Sequence, residues 1–165
     1  MKERAANAAS AFANWHGPSP NLNDVAKMIA FCRTHGIGLT LAIPPTHADA
    51  LEIYWTAGLW PRLEQWKTEL ASMVQQEGGG ESPLWDFGGY DAYATEPVPP
   101  AGDLGSATKW FWEPSHFKKP LGELMLQRMF GTGSQLGVQL TEENVASRNA
   151  AVRAQREAYL RSRAL

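Results

Sequence analysis

A carboxylate and an imidazole stand three residues apart, as Glu113 and His116, inside the run Lys109-Trp-Phe-Trp-Glu-Pro-Ser-His-Phe117. A carboxylate that accepts a hydrogen bond from one ring nitrogen fixes the tautomer and leaves the other nitrogen able to take a proton, which is the base half of a hydrolytic triad. On this reading His116 is a general base and Glu113 orients it. The bland alternative for Glu-x-x-His is a surface histidine beside a turn set by Pro114. The neighbouring Trp110, Phe111, Trp112 and Phe117 favour chemistry, because they are expected to exclude water from the pair. His116 is also expected near a loop-to-helix junction, where a rigid scaffold presents catalytic groups.

Four further side chains are candidate substrate contacts. His47 follows the apolar run Ile37–Ile43 and the turn Pro44-Pro45-Thr46, and ligands in open α/β sheets bind at the carboxyl ends of strands. Asp86 ends a short strand-like run, Leu84-Trp-Asp-Phe87, ahead of Gly88-Gly89; its alternative role is to cap that turn. Tyr90 and Trp112 supply aromatic surface. Glu96 is a weaker acidic candidate.

Other chemistries are narrowed by what the chain lacks. Cys32 is the only cysteine, so neither an internal disulfide nor a cysteine-based metal site can form. His16, His35, His47 and His116 never fall at the i, i+4 spacing of helical metal ligands, and no metal is expected. Gly78-Gly79-Gly80 has neither a strand before it nor Lys-Ser/Thr after it, so it reads as a linker and implies no phosphate cofactor. A formal charge of -2 without a basic, aromatic cluster argues against nucleic acid. No run in the chain has signal-peptide or membrane-spanning character.

The elements that must position these groups read as α/β. Residues 1–20 form an N-terminal tail with a frayed helix to Trp15, broken by His16-Gly-Pro-Ser-Pro20. Leu22, Val25, Ile29 and Cys32 recur at helical steps after Asn21, and Gly36 ends that helix. Ile37–Ile43 reads as a strand buried on both faces of a parallel sheet. Thr46 with Asp49 resembles a capping box for a helix over 47–57. Pro61 opens a helix to about Gln76, and Pro120 opens one that ends at Gly131. Residues 94–108 read as a loop, and weak strands are expected near 84–87 and 136–140. With only three strands, Leu39–Ile43 is left with an exposed apolar edge. Residues 21–140 thus form a partial domain, and 141–165, capped by Thr141, a long charged helix. Its arginines read as a solvated face or as a site for an acidic partner.

In this order, Leu39-Thr-Leu-Ala-Ile-Pro-Pro-Thr-His-Ala48, Gly58-Leu-Trp60, Leu84-Trp-Asp-Phe-Gly-Gly-Tyr90, Trp112-Glu-Pro-Ser-His-Phe117 and Leu140-Thr-Glu-Glu-Asn144 resemble the C-terminal half of a bacterial SGNH/GDSL-type hydrolase-like protein. The resemblance implies a partial three-layer α/β/α, flavodoxin-like sandwich and activity on ester or O-acetyl groups of carbohydrate, by hydrolysis or O-acetyl transfer. In the family's last block, Asp-x-x-His, His116 matches the base and Glu113 stands at the acid position, one methylene longer. Resembling proteins look membrane-anchored and exported.

The family's nucleophilic serine, in a Gly-Asp-Ser type turn after the first strand, has no match. Gly105-Ser106 follows Val98-Pro-Pro-Ala101, which cannot supply a buried strand, and Ser115 lies too close to His116 in sequence to aim at it. The expectation is a split or truncated product without the serine-bearing N-terminal half and inactive alone. Two alternatives stand beside it. One is a non-catalytic domain binding carbohydrate in a cleft lined by His47, Trp85, Tyr90 and Trp112; the other is a scaffold acting through the Arg-rich helix.

Overall fold

Proline and glycine punctuate the chain into helices much as the sequence suggests. The structure, a computed structural model, describes residues 2–13, 19, 21–103, 105–131 and 133–164. The helices are α1 (Lys2–Phe12), α2 (Asn21–Thr34), α3 (Ala48–Thr56), α4 (Trp60–Gly78), α5 (Lys119–Met129) and α6 (Val145–Arg163). The strands are β1 (Leu41–Ile43), β2 (Leu84–Asp86), β3 (Phe111–Glu113), β4 (His116–Phe117) and β5 (Val138–Leu140). The protein is therefore mixed α/β. Pro61 and Pro120 each stand in the first turn of their helix, where a missing N–H costs nothing. Gly79 takes the left-handed conformation that stops α4, its N–H returning to the Gln75 carbonyl. The expected break over 16–20 lies outside the described residues except for Ser19, and α1 is a helix with Ala5 buried.

β1 and β2 pair in parallel and β5 joins β2 antiparallel, in the order β1-β2-β5. Alternation then divides the core. Ile43, Leu84 and Leu140 face Ile29 of α2, Leu70 and Val74 of α4 and Val145 of α6. Trp85 faces the other way, onto a cluster of Phe87, Phe111, Leu121, Met125 and Leu136 contributed mainly by the β3–β4 hairpin and α5. A third cluster of Leu51, Trp60, Tyr90 and Val152 joins α3, α4 and α6.

Three local expectations are corrected. The strand is Leu41–Ile43, not 37–43; it occupies an edge of the sheet, and it is buried on one face only, with Ala42 exposed on the other and Ile37 exposed before it. The cap of α3 is His47 rather than Thr46, since His47 Nδ1 accepts from the Asp49 amide. Thr141 caps a separate turn, accepting from Asn144 N at 3.3 Å, and α6 begins four residues later.

Arg161 and Arg163 stay exposed, as a solvated face would be, but the other arginines of α6 are engaged. Arg148, Arg153 and Arg156 pair with Asp86, Glu64 and Glu52, fastening α6 to the body of the domain. Among the described residues, no helix is long and apolar enough to cross a membrane.

Candidate functional site

The sequence between Phe111 and Phe117 folds into a hairpin with Pro114 and Ser115 as its two-residue turn, and the register is irregular between Phe111 and Glu113. Phe111 and Phe117 point into the core. Trp112, Glu113 and His116 point out. His116 Nδ1 meets the Glu113 carboxylate directly. A carboxylate only accepts, so Nδ1 carries the proton and Nε2 holds the free lone pair of the neutral ring. Glu113 is itself fixed, accepting from Ser115 N at 3.1 Å and Ser115 Oγ at 2.9 Å. The Ser115 N–H, then His116 and the Ser115 hydroxyl, hold the Glu113 carboxyl below its ordinary range.

The expected exclusion of water from this pair is not observed. The His116 side chain is 78% exposed and that of Glu113 47%. The aromatics flanking them do not form a shield: Phe111 and Phe117 turn away, and Trp112 is 75% exposed with Lys118 Nζ 4.6 Å from its ring centre. Neither candidate hydroxyl serves His116 as a nucleophile. Ser115 Oγ is engaged with Glu113, and Ser106 belongs to an exposed turn closed by Asp103.

What holds the hairpin in place is a knot the sequence does not announce. Glu96 accepts the backbone N–H groups of Lys109, Trp110 and Phe111 at 2.7–3.0 Å, which aligns the start of β3. The Glu96 carbonyl accepts from His47 Nε2 at 2.9 Å, and His47 N donates to the Pro114 carbonyl at 2.8 Å. The hairpin turn is thereby tied to the loop leaving β1, at the carboxyl end of the parallel strands. His47 is buried, with Nδ1 and Nε2 both occupied and Phe111 edge-on at 5.5 Å. It positions the turn and presents no ring nitrogen to a substrate.

Asp86 is wholly enclosed and makes no surface at all. Its Oδ2 accepts from Lys67 Nζ at 2.9 Å and Arg148 Nε at 3.0 Å, while Oδ1 caps Gly88 N at 3.0 Å. The turn-capping role is thus present, together with an ion cluster that sequence reading missed. Its one local signal is Lys67 itself, which lies in the apolar stripe of Leu63, Leu70 and Val74.

Tyr90 donates to Glu52 Oε1 at 2.7 Å inside the third cluster, and Arg156 clamps both Glu52 oxygens at 2.7 and 2.8 Å. Burial, then the Glu52 hydrogen bond, push the Tyr90 hydroxyl far up. Burial also pushes Glu52 up, but the bonds from Arg156 and Tyr90 outweigh it and leave the carboxyl below its ordinary value. A depressed carboxyl stabilises the fold above its unfolded pKa of about 4.3, and that contribution disappears as pH falls through the folded value. Urea midpoints measured across the acid range are expected to fall less steeply towards low pH in Glu52→Gln than in the parent protein. Identical slopes would show that Glu52 does not drive the loss.

His47, Asp86, Tyr90, Trp85 and Trp112 are therefore not gathered in one cleft. His47 borders a cavity of about 370 Å³ with Glu96 and Arg163, Asp86 and Tyr90 are buried under α6, Trp85 is in the core and Trp112 is on the surface. Among the described residues no group of three or more His, Cys, Asp or Glu is placed to hold a metal ion. Comparison of the chain with protein-family models, curated proteins and solved structures finds no match to any of them.

Proposed function

We propose that the chain supplies the acid–base part of an SGNH-type ester hydrolase or O-acyltransferase acting on ester or O-acetyl groups of carbohydrate. His116 is the general base, Glu113 orients it, and the serine hydroxyl is carried on a polypeptide segment outside this sequence, so the chain is inactive alone. On the same reading the helices, sheet and hairpin with α5 are part of a three-layer sandwich. The observation that carries the proposal is the Glu113–His116 pair, with Nε2 turned to solvent on a hairpin tied to the carboxyl end of β1. In the reaction Nε2 takes the hydroxyl proton as oxygen attacks the ester carbonyl, then returns it to the leaving alcohol. Glu113 keeps the ring in the required tautomer and stabilises the imidazolium.

The test is acetate release from an O-acetylated glycan by the chain mixed with a serine-bearing half-domain of the SGNH type. His116→Ala is expected to lower the restored turnover by about 10²–10⁴-fold. Restored turnover that His116→Ala leaves untouched would remove His116 from the reaction. The exposed Trp112 favours a second reading, in which the hairpin binds glycan without turning it over, since an exposed indole offers a flat apolar face to a sugar ring. In the same assay that reading predicts saturable binding of the glycan and no acetate.

A further inference from the structure

A second cavity, of about 450 Å³, opens beside the carboxyl ends of β1 and β2 on the side of α3 and α4, and neither Glu113 nor His116 borders it. Its size lies in the range of roughly 300–1,000 Å³ usual for small-molecule sites. Its walls are mainly aromatic and aliphatic, with Tyr54, Trp60, Leu63 and Trp66 among them. The two charged residues lining it, Arg62 and Lys67, are both cations.

Lys67 is the informative one. Its side chain is only 6% exposed. Its ammonium donates to Asp86 Oδ2 and stands beside Gly88, 3.7 Å from where a Cβ on that residue would sit, and Gly88 is itself part of the cavity wall. An ammonium has three N–H donors, and Asp86 accepts one of them. Asp86 is also shared with Arg148, which is partly buried, so two cations meet on its carboxylate. Asp91 is a second carboxylate acting on Arg148, with its Oδ1 held by the backbone N–H groups of Tyr93 and Ala94, so the two cations are matched by two carboxylates. What the cluster leaves at the edge of the apolar cavity is the Lys67 N–H donors that Asp86 does not take, and burying a donor without an acceptor is costly.

We propose that this cavity binds a small monocarboxylate with an apolar body, its carboxylate on the Lys67 ammonium and its body against Trp60, Trp66 and Leu63. The carboxylate takes the spare donors of the ammonium. The body fills the aromatic space. The site is separate from the acid–base hairpin, and the proposal stands whether or not the chain takes part in ester chemistry.

Octanoate, octan-1-ol and octylamine share one tail and differ in head-group charge, so calorimetric titration of the full chain with each tests the assignment, with tryptophan fluorescence as a second readout. Octanoate is expected to bind about tenfold or more tightly than octan-1-ol, the gain of a charge-assisted hydrogen bond, and octylamine to show no saturable binding. In Lys67→Met, which leaves Asp86 paired with Arg148 and capping Gly88, octanoate is expected to weaken to the level of octan-1-ol. Leu63→Trp, which fills the space without touching the charges, is expected to weaken both. Equal affinity of the parent protein for octanoate and octan-1-ol, no binding of either, or octanoate binding that survives Lys67→Met or Leu63→Trp overturns the proposal.

Discussion

Asp86→Asn is expected to lower the free energy of unfolding by about 3–5 kcal/mol, the usual cost of removing one partner from a buried ion pair. Asp86 is fully enclosed, and its carboxylate is the meeting point of Lys67 from α4, Arg148 from α6 and the Gly88 amide. Asparagine matches the shape and can still accept from Gly88. It cannot neutralise either cation, and its amide would turn donors towards donors on one side. Domains of this kind are stable by roughly 5–15 kcal/mol in total, so the loss is a large fraction of what holds the protein folded. The measurement is the urea midpoint at neutral pH followed by tryptophan fluorescence. A loss below about 1 kcal/mol, the scale of a solvent-exposed pair, would show that water reaches the cluster and that Lys67 and Arg148 do not depend on Asp86.

Gly137→Ala is expected to cost about 2–5 kcal/mol, from two sources that can be separated. Gly137 has φ +74°, a left-handed conformation costing other residues about 1–2 kcal/mol. A Cβ there would also fall 2.4 Å from Phe87 Cδ1 and 3.1 Å from the Asp86 carbonyl oxygen. Phe87 is wholly buried between the sheet and the hairpin layer and cannot move aside cheaply, and overpacking of this kind adds about 1–3 kcal/mol. Gly131 has φ +85° with nothing near its missing Cβ, so Gly131→Ala reports the backbone part alone. Denaturation of both variants gives the Phe87 contact by difference. Equal losses would mean that the core beside β5 adapts.

Much of the helical framework was legible because its signals are local. Apolar residues at steps of three and four, with Gly36, Pro61 and Pro120 as punctuation, placed α2, α4 and α5 to within a few residues. The Glu113–His116 contact was equally local, three residues apart across a two-residue turn. Its exposure was not legible. The aromatics around it looked like a shield until strand alternation sent Phe111 and Phe117 inward and Trp112 outward.

His47 and Glu96 stood out as candidates, but their role in positioning the hairpin was not legible, for a different reason. Glu96 acts through backbone amides of residues 109–111, and His47 through the Pro114 carbonyl, so neither leaves a pattern of side-chain types. Arg148 reaches Asp86 from far along the chain, and on α6 it looks like any other arginine. The strand over 37–43 was read too long because apolar content does not reveal how many neighbours a strand has. Nor does it reveal which faces are covered: Ile43 is buried and Ala42 faces solvent.

The strand order has a kinetic side. Leu41 pairs with Leu84 and Leu84 with Leu140, so neither pairing of the three-stranded sheet joins segments adjacent in the sequence. α3 and α4 lie in the first loop to be closed, and the hairpin and α5 in the second. Such distant contacts are slow to form, since the entropy of closing each loop is spent before any ladder bond repays it. Helices and hairpin can assemble from neighbours early, leaving the sheet to close late. Throughout that interval Ile37–Ile43 is an uncharged apolar segment without its β2 partner, open to strands of other nascent chains. Yield on refolding is therefore expected to fall as protein concentration rises.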